Sequence, residues 1–388
     1  KLEIPTSKQE EWRFTNLNFL HNIHFEHSQK GKITLEKSDD KLKSNNKHQI
    51  CLINNENNNN FMNTIDGLDI LDMNSAINKY PKIIKTHFSK IYPYKNDYFC
   101  TKNMLDIDDG IFIYVKKDSI IKLPLEIIFS TINTQVSPRI FVYCSSNSNF
   151  SLIEKYVSKD GTESFTNAIT EIYLEKNSNL EYVKIQTESS NSTHFSGLGI
   201  HQENDSIINC HTFTKETGFT RNNIFSKLNG SNSECRLNGL SIGSKSNFID
   251  NHSIIQHSAP HSISSELYKG IYSDASKGVF DGKIIVDDNA TKIDSEQLNN
   301  NILLSEDASV NSNPRLEINT DDVTCKHGST TGQLENEALF YLKSRGFNND
   351  RAQKILLQGF CSEFIDNINN QEICDDFESI ITSYINNI

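Results

Sequence analysis

A polar turn that recurs at a nearly constant step constrains the fold of this chain more than any other feature of its sequence. Short apolar or alternating runs fill residues 109–322, and asparagine- and serine-rich turns recur among them at steps of 27 to 30 residues, at 147–149, 177–179, 204–206 and 231–233. A repeat of this length is typical of stacked solenoids. Two-residue hairpin signals are sparse, which disfavours antiparallel pairing. The pattern predicts a mainly β protein with a parallel β-helix core, and a β-sandwich with regular hairpins is the alternative.

The later turns depart from this period. They lie at residues 274–276, 288–290 and 307–309, so the intervals between them are shorter and uneven. The period by itself therefore favours the solenoid without excluding the sandwich.

Regions of a different character flank the β region. Residues 1–108 mix a charged start and an asparagine-rich tract with helical spacing over residues 66–106, which includes Leu68, Ile70, Leu71 and Ala76. After residue 322 the apolar period changes to 3.6 residues, and the first stripe ends at Gly346, a residue suited to a helix C-cap. Asn349 or Asp350 is expected to cap the next helix. The sequence thus predicts an N-terminal α/β region at 1–108, the β core at 109–322 and a helical module at 323–388.

Composition excludes several classes of function. The 388 residues carry a formal net charge of −12, and the lysines are scattered, which argues against a nucleic-acid surface. No apolar run could span a bilayer, and the charged start lacks the apolar core of a secretory signal, so we expect a cytoplasmic protein that does not bind a membrane. The eight cysteines form no C-x-x-C pair, which indicates reduced thiols. Phosphate-binding glycine motifs and the nucleophile elbow are also missing, so the chain is not expected to hydrolyse ATP.

The densest group of reactive side chains lies in the segment DDVTCKHG at residues 321–328. If this segment is a strand, Cys325 and His327 lie on one face, about 6 to 7 Å apart along the strand, and Lys326 points away. A thiolate and an imidazole are suitable ligands for iron or zinc, but two ligands do not complete a tetrahedral site. On spacing alone, a partly buried cysteine beside a hydrogen-bonded histidine is the alternative.

Other candidate sites have weaker support. His257 and His261 have the spacing of a helical metal pair, but Pro260 between them disfavours the helix. In the neighbouring pair Cys210 and His211, opposite orientations on a strand predict a core thiol and an exposed imidazole. Acidic residues on the predicted solenoid would also suit a polysaccharide-cleaving enzyme; they are Asp250, Asp274, Asp281, Asp287 and Asp288.

Several motifs in a fixed order resemble the SufD family, scaffold subunits of the Suf iron–sulfur cluster assembly machinery. The resemblance is unbroken over residues 250–365 and includes HSIIQHSAPH, DDVTCKHGSTTG and LFYLKSRG, with weaker similarity in EEWRFTNL at 10–17 and DGIFIYV at 109–115. The paralogous SufB family is the alternative. The complete acid-acid-Val-x-Cys-x-His-Gly run favours SufD.

The resemblance implies a right-handed parallel β-helix with helical ends, and a non-catalytic subunit that supports iron acquisition and cluster assembly. It implies pairing with a SufB subunit through the ends of the two β-helices, although a homodimer in isolation stays open. His327 and Cys325 would face that interface and hold a transient iron or nascent cluster. The SufC ATPase would dock on the C-terminal helices near Leu342, Arg345, Gly346 and Phe347. Nothing in the sequence indicates a flavin site.

Overall fold

The computed structural model describes residues 3–22, 47–54, 56–57, 64–93, 97–106, 110–215 and 217–387. The asparagine-rich tract falls largely outside these residues. The described strands are β1 His48–Ile53, β2 Glu56–Asn57, β3 Thr64–Ile65, β4 Leu68–Asp72, β5 Ile111–Val115, β6 Leu125–Ser130, β7 Gln135–Val136, β8 Arg139–Cys144, β9 Asn149–Val157, β10 Ser164–Leu174, β11 Asn179–Thr187, β12 Ser192–Gln202, β13 Ile207–Lys215, β14 Phe219–Leu228, β15 Glu234–Gly243, β16 Phe248–His257, β17 Ile263–Tyr272, β18 Lys277–Val286, β19 Ile293–Leu303, β20 Ser309–Ile318 and β21 Val323–Gly332.

The α-helices lie between β4 and β5 and after β21. They are α1 Met73–Lys79, α2 Pro81–His87, α3 Tyr98–Asp106, α4 Asn336–Ser344, α5 Asn349–Ile365 and α6 Gln371–Asn387, with short 3-10 helices at Glu10–Trp12 and Asn18–Asn22. No described helix is long and apolar enough to cross a membrane.

The strands form two facing sheets. Sheet A has the order β20-β18-β16-β14-β12-β10-β8-β5-β4-β3, and sheet B has the order β2-β1-β6-β9-β11-β13-β15-β17-β19-β21. From β8 onwards the chain alternates between the sheets, and every strand pairs in parallel with the strand two further along. This is a parallel β-solenoid of about eight turns, which confirms the predicted fold class and excludes the antiparallel sandwich.

The recurring polar turns occupy one side of the solenoid. Asn147, Asn177, Asp205 and Asn232 have φ angles between 56° and 60°, a left-handed conformation that asparagine and aspartate tolerate better than other side chains do. The side-chain nitrogen Nδ2 of Asn177 also donates to Oδ1 of Asn147 at 2.9 Å, so successive turns are linked along the stack. The repeat therefore reflects a backbone requirement at each turn.

A second stack of turns on the opposite side explains the uneven later intervals. Asp274, with φ 53°, connects β17 of sheet B to β18 of sheet A, whereas the turn at residues 287–292 connects β18 back to sheet B. Successive polar triplets in this part of the sequence thus belong alternately to the two sides. Their spacing is about half a turn of the solenoid, and the underlying period is preserved.

Helices and the N-terminal segment cover the outer faces of the sheets. Helices α5 and α6 pack on sheet B, where Phe364 and Phe377 contact a cluster that includes Val183 and Phe213. Sheet A is covered by α1 to α3 and by the segment around Trp12. The N-terminal segment is fixed there because the Arg221 guanidinium stacks 3.6 Å from the Trp12 ring.

One element of the N-terminal region differs from the prediction. Helical spacing predicts a helix that includes Leu68 and Ile70, but both residues lie in strand β4, which pairs antiparallel with β5. The helix begins only at Met73, where the Asp72 side chain accepts a hydrogen bond from the Ser75 amide at 2.8 Å. Pairing with β5 places these apolar residues in the core, and this pairing outweighs their helical spacing.

The C-terminal helices agree with their predicted signals. Helix α4 ends in a Schellman motif, in which the Gly346 amide donates to Lys343 O at 3.0 Å and the Phe347 amide donates to Leu342 O at 3.3 Å. Gly346 has φ 92°, which a side chain would disfavour. The cap of α5 is Asn348, one residue before the expected position, and its Oδ1 accepts from the Arg351 amide at 2.8 Å.

Candidate functional site

The last turn of the solenoid is uncovered. Strand β20 is the end strand of sheet A and pairs only with β18, and β21 is the end strand of sheet B and pairs only with β19. No residue of β20 or β21 is buried, whereas the preceding strands are largely buried. End strands of this kind present unpaired backbone N–H and C=O groups. We call this surface, formed by residues 309–318 and 323–332, the open end.

Cys325 and His327 lie at the open end and face the interior. In the parallel register, Cys325 pairs with Ser295 and His327 pairs with Gln297. The Ser295 and Gln297 side chains are buried between the sheets, so the next strand presents its thiol and imidazole to the same interior column. Lys326 is exposed and pairs with Glu296, on the outer face. The structure thus places both predicted ligands on one face, at the mouth of the solenoid interior.

The two side chains differ in their surroundings. Cys325 is half-buried and packs beside Val323 and Leu316 on a cluster of aliphatic side chains. Burial, followed by the charge of Asp294, raises the pKa of the Cys325 thiol above its ordinary value of 9.0. A metal that binds this sulfur would have to displace a proton. The His327 side chain is exposed and makes no hydrogen bond to another described residue.

The coordination set at the open end is incomplete. No group of three or more His, Cys, Asp or Glu side chains that could hold a metal occurs in the part of the chain that the structure describes. Cys325 and His327 would therefore supply at most half of a tetrahedral iron site.

A polar column lies directly beneath the open end. Gln297 is fully buried, and its Nε2 donates to Oε2 of Glu266 at 2.6 Å, one turn further inside. Burial raises the pKa of the Glu266 carboxyl to about 7. Across the last turn, the Ser329 hydroxyl donates to Ser312 Oγ at 2.8 Å and links the two end strands. Sequence reasoning missed this column, because only the stacking register brings Glu266 beneath Gln297.

The pair His257 and His261, the weaker candidate for a metal site, does not form one, and His257 is a buried, hydrogen-bonded residue. His257 Nδ1 lies 2.7 Å from Ser262 Oγ and its Nε2 lies 2.9 Å from Ser264 Oγ, so both ring nitrogens are occupied. Burial lowers the pKa of His257 to about 4. His261 lies in the following turn with φ 61°, so the two residues do not share a helix.

Cys210 and His211 point to opposite faces of β13 as predicted, but the predicted exposure of His211 is wrong. Cys210 lies in the solenoid core, as predicted. The His211 imidazole is fully buried rather than exposed, because α5 covers this face of sheet B and places Phe364 against the ring at 6.2 Å. This burial lowers the pKa of His211 to about 3.

Two of the acidic residues considered for a polysaccharide enzyme, Asp250 and Asp281, have structural partners. Asp250 is fully buried and accepts from Arg221 at 2.6 Å and from the Thr15 hydroxyl at 2.5 Å. Asp281 forms an ion pair with Arg315. Asp250 thus fastens the N-terminal segment, and Asp281 fastens the last strand of sheet A.

A second exposed feature lies on α4 and the turn that follows it. Leu342, Arg345, Gly346 and Phe347 come together there. The structure adds Phe340 and Tyr341, which are 74% and 56% exposed and which sequence reasoning did not single out. Helix α4 buries no residue at all. An exposed aromatic pair on an otherwise uncovered helix is typical of a protein-binding surface.

The family of the chain follows from its similarity to known protein families. Residues 127–360 match the family described as "SUF system FeS cluster assembly, SufBD core domain". The chain belongs to the SufBD family. Residues 1–127 match the SufBD protein N-terminal region, so the two matches together extend from the first residue to the middle of α5. Membership makes the chain a component of iron–sulfur cluster assembly, and the polysaccharide-enzyme interpretation is set aside.

Individual relatives agree with this assignment. The chain is 28% identical over 391 residues to a SufBD-family iron–sulfur cluster assembly protein of Synechocystis sp., an alignment that covers 95% of this chain and 84% of the relative. It is 34% identical over 220 residues to SufD of Escherichia coli, with 57% and 52% coverage, and 30% identical over 291 residues to the chloroplastic protein ABCI7 of Arabidopsis thaliana, with 72% and 61% coverage. The SufBD chain is thus of the SufD type.

Proposed function

We propose that this SufD-type chain is a non-catalytic scaffold subunit of a SufBCD-type complex. In this role it supports iron acquisition and de novo cluster assembly at its interface with a SufB subunit, in the cytoplasm, while ATP hydrolysis belongs to SufC. The observation that carries the proposal is the open end, where two end strands each have one unpaired edge and β21 carries a thiol and an imidazole on one face. Family membership supplies the chemical context.

Pairing with a second β-solenoid is the physical expectation for the open end. Exposed end strands are prone to strand addition, and a partner solenoid offers matching strands at the same spacing. Such a contact would bury Ile318, which is 40% exposed, and would cover the side chains of β20 and β21. In isolation, a second copy of the chain could occupy the same edges, which would give a homodimer.

The proposed iron ligands are His327 and Cys325, with iron or a nascent cluster as cargo. Imidazole is a borderline ligand and thiolate a soft one, and both suit iron. The SufB subunit would fill the remaining coordination positions of the iron. The raised pKa of Cys325 favours His327 as the first ligand, because a metal can bind the Cys325 sulfur only by displacing a proton from the half-buried thiol.

The proposed SufC dock is the surface of α4 and its C-terminal turn. Phe340 and Tyr341 would be the apolar anchors, and Arg345, whose guanidinium lies 5.1 Å from the Tyr341 ring, would contribute charge at the rim. Leu342 and Phe347 are partly buried and would hold the shape of the turn. The Schellman geometry at Gly346 keeps this surface rigid.

Co-purification with the SufB and SufC homologues of the same genome tests the proposal. We expect a stable complex of all three proteins, with its mass determined by light scattering. The double variant F340S/Y341S should lose SufC and retain SufB. Ile77→Ser, which changes an exposed apolar residue on α1, is the matched control and should retain both partners. A chain that binds neither homologue would contradict the proposal, and SufC binding by F340S/Y341S would contradict the dock.

A further inference from the structure

The Gln297 side chain has an unusual environment one turn inside the open end. It is 0% exposed and crosses the interior towards sheet A, where a Cβ on Gly282 would lie 2.3 Å from its Nε2. Glycine at position 282 therefore makes room for this amide. On the inner side, Nε2 donates to Glu266 Oε2 at 2.6 Å.

The other end of the Gln297 amide lacks a partner. Its Oε1 is buried and accepts no hydrogen bond from any described residue. A buried acceptor without a partner costs about 1–3 kcal/mol. Such a cost is expected to persist only if a donor satisfies the acceptor in some state of the protein.

The residue above Gln297 in the stack is His327. The two are register partners on adjacent parallel strands, so their side chains leave the same face about 5 Å apart. Amide side chains in parallel stacks donate to one neighbour and accept from the other along the stack. Glu266, on the inner neighbouring strand, accepts from the Gln297 amide nitrogen. His327, on the outer neighbouring strand, is therefore the residue placed to donate to the Gln297 amide oxygen.

We propose that Gln297 is a positioning residue for His327. The exposed imidazole, which makes no hydrogen bond to a described residue in the structure, rotates so that one N–H donates to Gln297 Oε1 and the other ring nitrogen is left free to bind iron. The inference rests on the proposed function, because it assigns Gln297 to the same site. Glu266 takes part by accepting from the Gln297 amide nitrogen, which leaves the buried amide oxygen as the free acceptor.

The hydrogen bond would act on metal binding in two ways. It fixes the tautomer of the imidazole, and it limits rotation of a side chain that is otherwise exposed. Loss of such an outer partner typically weakens metal affinity 10- to 100-fold. Gln297 would thus matter for iron without touching it.

Two variants of the full-length chain test the inference. Gln297→Met keeps the length of the side chain and removes the acceptor, whereas Gln297→Glu keeps an acceptor oxygen. Gln202→Met is the matched control, because Gln202 is also a fully buried glutamine but lies several turns away. The first readout is the pair of side-chain 15N shifts of His327 in histidine-labelled protein, with the signal assigned by its loss in His327→Ala.

We expect a single tautomer of His327 in the unaltered chain and in Gln202→Met, a mixture in Gln297→Met, and recovery of one tautomer in Gln297→Glu. The second readout is iron affinity in the reconstituted complex, which should fall 10- to 100-fold in Gln297→Met and recover in Gln297→Glu. Unchanged shifts and affinity in Gln297→Met, while His327→Ala loses iron, would overturn the inference and leave the proposed function intact. Full iron binding by His327→Ala would overturn the proposed site itself.

Discussion

The buried carboxyl of Glu266 makes stability depend on pH in a direction that can be calculated. Burial raises its pKa from 4.5 to about 7, so the folded chain keeps a proton that the unfolded chain releases. The stabilisation from this proton is fully present below pH 4.5 and is lost as the pH rises through 7. Because the folded and unfolded pKa values differ by about 2.5, the free energy of unfolding falls by about 3 kcal/mol as the pH rises from below 4.5 to above 7.

The variant Glu266→Gln removes this pH-dependent contribution to stability, because an amide carries no charge at any of these pH values. The free energy of unfolding of the variant relative to the unaltered chain should therefore increase by about 3 kcal/mol between pH 4.5 and pH 8. Denaturant titrations at half-unit pH steps provide the measurement. Buried His211 and His257 contribute the opposite slope, since their pKa values are lowered, but they are common to both proteins and cancel in the difference.

Glu296→Gln is the control, because it removes the same charge from an exposed side chain on the neighbouring strand. Its stability curve should run parallel to that of the unaltered chain. If the Glu266→Gln curve also runs parallel, the carboxyl is not held protonated by its surroundings, and the physical account of the interior column fails.

Three further changes test how the solenoid is held together. Glu171→Gln should destabilise the chain by about 3–5 kcal/mol in denaturant titrations, because it leaves the buried Arg139 guanidinium, 2.7 Å from Glu171, without its counter-charge; no loss would contradict this. Asn177→Ala should cost about 1–2 kcal/mol at its left-handed φ of 56°, and Asn177→Gly should cost less, whereas equal costs would refute the conformational explanation. Trp12→Ala should release the N-terminal segment, since its ring stacks on Arg221, and faster proteolysis near residue 12 would show this, while unchanged proteolysis would count against it.

The solenoid could be predicted because its turns impose a local backbone requirement. Asn147 and Asn177 adopt left-handed φ angles at equivalent positions, and such positions leave a direct record in the sequence. The cap at Gly346 was predictable for the same reason. Strand β4 was not, because Leu68 and Ile70 satisfy helical spacing equally well until pairing with β5 decides their conformation.

The site was predictable only in part. Strand alternation places Cys325 and His327 on one face, which the sequence alone indicates. That this face looks into the interior, and that the turn is the last and uncovered one, depends on how successive turns stack. The burial of His211 and the column from Glu266 to Gln297 likewise depend on contacts between residues distant in sequence, which no local pattern records.

The most direct test of the central claim is the iron and sulfide content of the complex with SufB and SufC homologues after anaerobic reconstitution, measured for the unaltered chain and for His327→Ala. Lys326→Ala, the exposed neighbour on the outer face, serves as the control. The account predicts that all three chains assemble, that the unaltered chain and Lys326→Ala retain iron and sulfide, and that His327→Ala loses most of both. An assembled His327→Ala complex with full iron and sulfide would contradict the assignment of the open end as the site of cluster assembly.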